Sequence, residues 1–467
     1  MPARASISLL LGAAAAVAAP GATSPGAIVV AFGSDATTSA TISFAGNSSG
    51  AAGTVWLSPA PARWASSSSS SSSSAAAAAA CAGAPAGAAS LPAAASDHSY
   101  ANSAGLQTVY RAQLSGLAPG TTYTYGACWA GGSASAPRSF TTLAVGANPK
   151  VIYWGDLGRD GGGQAFPALE GEAAATAARA AGAGDVAIAA GDHAYNLCDF
   201  NGARGAAWME RFSNISAYLP VWTVLGNHEL PSDCKVDFNA SHYVNMLGRN
   251  MPGGTNGSYY SVDLGQTHIV FLSSEVIALG PYGGVTAAAQ SAWLAADLAA
   301  VDRARTPWVL AVLHRPFYCS NANSWCGARA WQGNAVRLEL EPLLLAGGVD
   351  VVLAGHEHSV ELTWPVKAGA ATQLNYDAPA APVHSIAGAA GCNEQHGDCL
   401  NPMGAAAGSW SRARLAGDPQ QYGYSRFWAV NASHWHFEQV QTSLPGGPVL
   451  WSEAVDIVQP SHGPFRA

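Results

Sequence analysis

The hydrophobic pattern changes its period about a third of the way along the chain. Before residue 145 the apolar positions fall in short segments rich in β-branched and aromatic residues: "AIVVAFG", "SATISFA", "GTVWLS", "TVYRAQLSGL", "TYTYGACWA" and "PRSFTTL". Turn residues separate them, so they predict a small all-β domain over 25–145. From about residue 148, short apolar runs alternate with longer segments of helical composition. "KVIYWGD", "DVAIAAGD", "VWTVLGNHE", "HIVFLSSE", "WVLAVLHRP" and "VDVVLAGHEH" read as strands. "AFPALEGEAAATAARAAGA", "AAAQSAWLAADLAAVDRAR" and a stretch near 334–346 read as helices. That alternation predicts a layered α/β domain over 148–460, and strands without polar alternation predict sheets covered on both faces. The tail from about 382 returns to strands.

Two stretches break the pattern. Residues 1–24 have an early Arg4, an apolar run from Ile7 to Ala19 and small residues after it, which predicts a secretory signal peptide. Inside the β domain, near 65–95, nine serines precede six alanines. Such a run supplies no packing face, so a disordered insert is expected there.

Composition narrows the partners. Charged residues make up 11% of the 467 positions and the formal net charge is −8. With no Lys/Arg run, nucleic acid and anionic membranes are not expected partners. No later stretch has the length of a membrane span. The eight cysteines form no CxxC, and four disulfides are expected in an oxidising compartment, with the pairing left open. Cys319/Cys326 and Cys392/Cys399 are close enough to close small loops. Sequons at Asn47, Asn214, Asn239, Asn256 and Asn431 fit a secreted glycoprotein. The destination is left open between the extracellular space, a cell wall and an acidic vacuole or lysosome, and the oligomeric state is not indicated.

The chemistry lies at strand ends. Five apolar strands finish in metal-binding residue types: "IYWGDLG" with Asp156, "IAAGDHAY" with Asp192 and Tyr195, "TVLGNHE" with Asn227 and His228, "AVLHRP" with His314, and "VLAGHEH" with His356 and His358. In open α/β sheets, sites gather beyond the carboxyl ends of strands. A glycine before the acids, the asparagine and His356 is expected to let the backbone turn sharply. Packing alone would place Val or Leu there, because clustered buried acids and imidazoles are costly without cations. His193 is expected to pack.

These five motifs, in this order, resemble the purple acid phosphatase branch of the calcineurin-like metallophosphoesterases, in its long two-domain form. "LAPGTTYTYGA" likewise resembles part of a fibronectin type III-like sandwich. The resemblance implies a metallophosphoesterase-type sandwich of mixed β-sheets flanked by helices, preceded by a fibronectin type III-like domain. It implies that Asp156, Tyr195 and His358 hold a ferric ion. Asn227, His314 and His356 would hold a divalent ion (zinc, manganese or ferrous iron), with Asp192 bridging both. Hard carboxylate and phenolate oxygens suit the trivalent ion, and imidazole and amide suit the divalent one. The implied activity is acid hydrolysis of small phosphomonoesters by attack of a metal-bound hydroxide. His228 then contacts the phosphate or protonates the leaving group, or holds the site together from behind. Two positions depart from the family pattern. Arg329 stands where a histidine is usual, so poor leaving groups are expected to react slowly. Val360 replaces a frequent tyrosine. Two other readings remain: a phosphodiesterase or nucleotide hydrolase on the same fold, and a secreted structural or adhesion protein with a vestigial metal site.

Overall fold

A computed structural model describes residues 25–46, 51–59, 84–98, 107–158, 165–200, 202–230, 239–322, 326, 331–391, 408–415, 422–442 and 449–465. The signal peptide, the serine run, Asn47 and Arg329 lie outside them.

Seven strands form the N-terminal domain, in the spatial order Gly26–Phe32, Ala40–Gly46, Gln107–Leu114, Ala89–His98, Gly53–Ser58, Thr122–Trp129 and Arg138–Thr141. All pairings are antiparallel. The strand Ala89–His98 serves two neighbours. Its first half pairs with Gly53–Leu57 and its second with Gln107–Arg111. The expected insert near 65–95 therefore ends earlier than its composition implied. Ala89–Ala95 lack β-branched residues but become a strand because both neighbours supply ladder partners.

Strand Gly26–Phe32 reads as an unbroken apolar run because both its faces are covered. Ile28, Val30 and Phe32 join the sandwich interior, while Ala27 and Val29 pack with Ile152, Trp154, Met209 and Phe212 of the following domain. Hydrogen bonds fasten the same seam. Ala27 N–H donates to Glu210 (3.0 Å), the Trp222 indole to the Phe32 carbonyl (3.0 Å) and the Tyr125 hydroxyl to the Ala217 carbonyl (2.8 Å).

The second domain stacks two mixed sheets. One runs Val221–Val224, Val186–Ala190, Val151–Trp154, Tyr422–Asn431, His434–Thr442, Val449–Val458. Its first three strands are parallel. The other runs Tyr260–Leu264, Thr267–Phe271, Trp308–Val312, Val351–Ala354, Val383–Ala387, Val360–Thr363, Ser411–Leu415, with its middle four parallel. Val151, Tyr153 and Ile188 of the first sheet meet Ile269, Leu310 and Leu353 of the second in one core. The outer face of the first sheet is covered by helices Phe166–Ala177 and Ala203–Ser216, that of the second by Ala287–Ala300 and Trp331–Gly347. This double covering explains the apolar strands. The fold is the expected mixed-sheet sandwich flanked by helices, preceded by an all-β domain.

Three differences are local. The first two helices stop at Ala177 and Ala300, short of their alanine-rich patterns; after Ala300, Val301 turns extended and Asp302 accepts the N–H groups of Arg305 and Thr306. Helix Ala203–Ser216 was not read from the sequence, although Trp208, Met209, Phe212 and Ile215 recur at helical spacing and are all buried. Val360 opens a strand paired on both sides and is 4% exposed, so valine there is a core residue.

Candidate metal centre

The parallel strands of both sheets finish at one edge, and the two edges are stitched together. Gly155 N–H of the first sheet's edge donates to the Ala387 carbonyl of the second (2.8 Å), while bonds from Asp156 N–H to the Gly191 carbonyl (3.1 Å) and from Gly355 N–H to the His314 carbonyl (3.0 Å) tie neighbouring strand ends within each sheet. Residues spread over 200 positions thus meet at this seam.

Seven side chains converge in two adjoining sets. In the first, the Tyr195 hydroxyl donates to Asp156 Oδ1 (2.8 Å) and lies 2.9 Å from His358 Nε2, which is 3.5 Å from Asp156 Oδ1. In the second, His314 Nε2 is the hub. Asp192 Oδ2 is 3.1 Å away, Asn227 Oδ1 3.3 Å and His356 Nδ1 3.3 Å. The sets join where His356 N–H donates to Asp156 Oδ2 (2.7 Å). The first set is buried throughout; in the second, Asp192 and His314 are buried and His356 half-buried.

The backbone is bent to achieve this. Asp156, Asp192, Tyr195 and His356 all have left-handed φ, between 41° and 66°. Each such residue costs on the order of 1–3 kcal/mol, and such strain gathers at functional sites. The turn is therefore made largely by the ligand-type residues themselves, and the preceding glycines have a second use. Gly191 is left-handed, but Gly226 is extended (φ −116°); a Cβ there would lie 2.2 Å from Asp192 Oδ1. Gly226 is needed for clearance around the carboxylate.

Supporting groups aim the donors. His314 Nδ1–H donates to the Ala190 carbonyl (2.7 Å), leaving Nε2 for the site. Arg315, clasped by Glu275 (2.8 and 2.9 Å), donates to His356 Nε2 (3.0 Å), so Nδ1 faces His314. The Glu229 carboxylate accepts three backbone N–H groups, from Asp192 (2.9 Å), His193 (3.0 Å) and Gly226 (2.8 Å), and welds two strand ends together. His193 packs, as expected, between Trp208 and Tyr243 and bonds to the Val224 carbonyl (3.1 Å). The sequence reading assigned nothing to Glu229, Arg315 or Glu275. Their signals were present: an acid three residues after Gly226, in the manner of a capping box, and Glu275 just past the strand Thr267–Phe271.

The electrostatics match a cation site. Burial opposes charge on Asp192, yet His314, His228 and His356 overcome it and hold the carboxylate well below its ordinary range. Burial also opposes charge on His314, but the Asp192 carboxylate outweighs it and pushes the imidazole up. Burial, then Arg315 and His314, push His356 well below the histidine range. Opposed shifts within one cluster mark functional sites. At separations of 2.8–3.5 Å, these donor atoms are close enough together to share a cation at bond lengths of about 2.0–2.2 Å. The donor chemistry thus fits two metal ions, one in an oxygen-rich set and one in a nitrogen-rich set. Cys319, Cys326 and Glu357 also cluster, but the two cysteines form a disulfide.

His228 sits at the rim. Its backbone N–H donates to Asp192 Oδ1 (2.9 Å), and its Nε2 lies 3.9 Å from Asp192 Oδ2. Arg329 lies outside the described residues.

Comparison with known proteins fits this geometry. Residues 149–360 match the calcineurin-like phosphoesterase family, 25–142 the purple acid phosphatase N-terminal domain, and 381–449 the iron/zinc purple acid phosphatase-like protein C domain. Acid phosphatase type 7 of Homo sapiens is 34% identical over 368 residues, covering 76% of this chain and 78% of the relative. Its Danio rerio counterpart is 33% identical over 376 residues, covering 76% and 79%. Purple acid phosphatase 18 of Arabidopsis thaliana is 32% identical over 231 residues, 48% of this chain and 47% of that one. In fold, the chain is similar to a purple acid phosphatase from yellow lupin seeds, with TM-score 0.69 and 17% identity over 93% of this chain and 74% of that one. The chain therefore belongs to the purple acid phosphatase family of the calcineurin-like phosphoesterases.

Proposed function

We propose that the protein is a secreted acid phosphatase that hydrolyses small phosphomonoesters at a binuclear centre. Asp156, Tyr195 and His358 would hold a ferric ion, and Asn227, His314 and His356 would hold zinc, manganese or ferrous iron, with Asp192 as the carboxylate shared between the two sets. The observation that carries the reading is the meeting of two donor sets, one containing a phenol, across the Asp156–His356 hydrogen bond. Bound there, the ions would supply Lewis-acid stabilisation of phosphoryl charge and a lowered water pKa. The protein's part is positional. Asp192 keeps its carboxylate ionised, Glu229 fixes the loops bearing Asp192 and Asn227, and His228 presents Nε2 toward the same edge, where it meets the phosphate or the leaving-group oxygen.

Three observations support secretion: the apolar N-terminal run, the Cys319–Cys326 disulfide, and exposed asparagines at the sequons of Asn214, Asn239, Asn256 and Asn431. Among the described residues no helix is long and apolar enough to cross a membrane.

The test is metal content and a visible spectrum of the purified protein, before and after Tyr195→Phe, together with phosphate release from an aryl phosphate. The expected result is two metals per chain, a phenolate-to-iron band that Tyr195→Phe abolishes, and phosphate release at acidic pH. A protein that binds no iron and releases no phosphate overturns the proposal. Arg329 adds a finer test: aryl phosphates are expected to outpace alkyl phosphates, and equal rates would remove its assigned effect.

A further inference from the structure

His228 is held on three sides, and one of its holders has no role so far. Its main chain is tied to Asp192, its ring lies against Tyr195 (4.3 Å between centroids), and its Nδ1 is 2.6 Å from Asn196 Oδ1. The orientation of the Asn196 amide is not arbitrary. Asn196 Nδ2 donates to Asp199 Oδ1 (3.1 Å), and an ionised carboxylate only accepts, so the NH2 end must face Asp199 and the oxygen must face His228. The Asn196 oxygen can only accept as well, which puts a proton on His228 Nδ1. Nε2 is then the nitrogen turned toward Asp192 and the substrate. Behind this, Asp199 pairs with Arg204 (3.3 Å), and Arg204 donates to the carbonyl of Tyr195 (2.8 Å). The chain of contacts begins and ends on the loop that carries Tyr195.

We propose that Asn196 is a positioning residue for His228: its carboxamide, oriented by Asp199 and Arg204, holds the imidazole Nδ1–H so that Nε2 alone faces the substrate. This rests on the phosphatase reading of the site for its catalytic consequence, but not for the tautomer it assigns. A histidine free to rotate about χ2 would present either nitrogen at varying distance, and small misplacements of a reacting group cost about 10²-fold in rate. Asn196 touches neither phosphate nor metal in this scheme and acts through His228.

Two variants and two measurements test it. Asn196→Leu keeps similar bulk and removes the acceptor. The double variant Asn196→Asp with Asp199→Asn exchanges amide and carboxylate, keeping an acceptor for Nδ1–H and a donor between the two positions. The first measurement is histidine ring 15N NMR of the full-length protein loaded with diamagnetic gallium and zinc, with the His228 signals identified by their loss in His228→Gln. Wild type and the exchange variant are expected to show the Nδ1–H tautomer, and Asn196→Leu to lose it. The second is steady-state kinetics on an alkyl phosphate, with metal content measured in parallel. Asn196→Leu is expected to lower kcat about 10- to 100-fold with KM within about threefold and metal content unchanged, and the exchange variant to recover most of the loss. An Nε2–H tautomer in the wild type overturns the proposal, as does Asn196→Leu with unchanged kcat. If Asn196→Leu fails to fold, the wild-type tautomer and the exchange variant's kcat still decide. A wild type that shows the Nδ1–H tautomer but releases no phosphate would sink the functional reading and leave the positioning intact.

Discussion

The N-terminal sandwich and the strand-end centre spend their residues in opposite ways. In the sandwich, the interior is apolar and aromatic. Tyr110 stacks on Phe44 at 4.9 Å and lies parallel to Trp129 at 6.4 Å, and Tyr123 packs on Phe140 at 5.8 Å. In the centre, Asp156, Asp192, Glu229, Glu275 and His314 are all buried, and four residues of the site have left-handed backbones. Burying aromatic surface stabilises; burying charge and bending backbone do not, unless partners or cations offset the cost. The comparison teaches where each domain's constraint comes from. The sandwich accepts any side chains that fill its space, whereas the centre accepts only those whose donor atoms reach a common point.

The largest effect expected from breaking this division is at Asp192. Asp192→Asn removes the charge around which His314, His228 and His356 gather. Phosphate release should fall roughly 10³-fold or more, with loss of bound metal measured by elemental analysis. Full activity in that variant would mean that the centre is not organised around Asp192. In the sandwich the expected outcome is reversed. Tyr110→Ala should lower stability by roughly 3–5 kcal/mol in urea denaturation while leaving kcat per folded molecule unchanged. A fall in kcat would mean that the sandwich shapes the site as well as supporting it. Between these lies Glu229→Gln, which keeps one acceptor for three backbone donors. It should cost about 2–3 kcal/mol and lower activity about tenfold, because the loops bearing Asp192 and Asn227 lose their common anchor.

The same contrast explains what could be read from the chain. The candidate ligands stand out because each closely follows the end of an apolar strand and is a residue that packing does not favour there. The two sheets whose edges bring them together are built on those same strands. Glu229, Arg315 and Asn196 were harder to read because their partners are backbone groups or residues far along the chain, and a single acid or amide in a loop has many ordinary uses. The strand Ala89–His98 was hidden for the opposite reason: small residues carry little β preference, and only its two neighbours make it a strand. Helix Ala203–Ser216 shows that periodicity can be present and still be overlooked beside stronger motifs.

Beside the boundary with the N-terminal domain, the second domain carries a pH-dependent cluster of its own. Asp35 of the sandwich and Asp263 of the catalytic domain form an isolated parallel bridge through their backbones. The Asp263 side chain accepts from His268 Nδ1 (2.7 Å) and pairs with Arg305 (3.0 Å). His268 Nε2 lies 2.9 Å from Asp297, on helix Ala287–Ala300, which also accepts from the Ser261 hydroxyl (2.7 Å). Only an imidazolium can donate to two carboxylates at once. Burial works against its charge, but Asp263 and Asp297 outweigh burial and raise the pKa from 6.5 to about 9. The folded value lies above the unfolded one, so this contribution is fully present below about pH 6.5 and is lost as the pH rises through about 9. Because Asp263 is 39% exposed, solvent screening reduces the effect to about 2 kcal/mol. Urea denaturation of the wild type should therefore show stability falling between pH 7 and 10. His268→Gln, which cannot carry the charge, should start lower at pH 7 and lose less over the same interval. Parallel slopes in the two proteins would mean that this cluster does not titrate in this range.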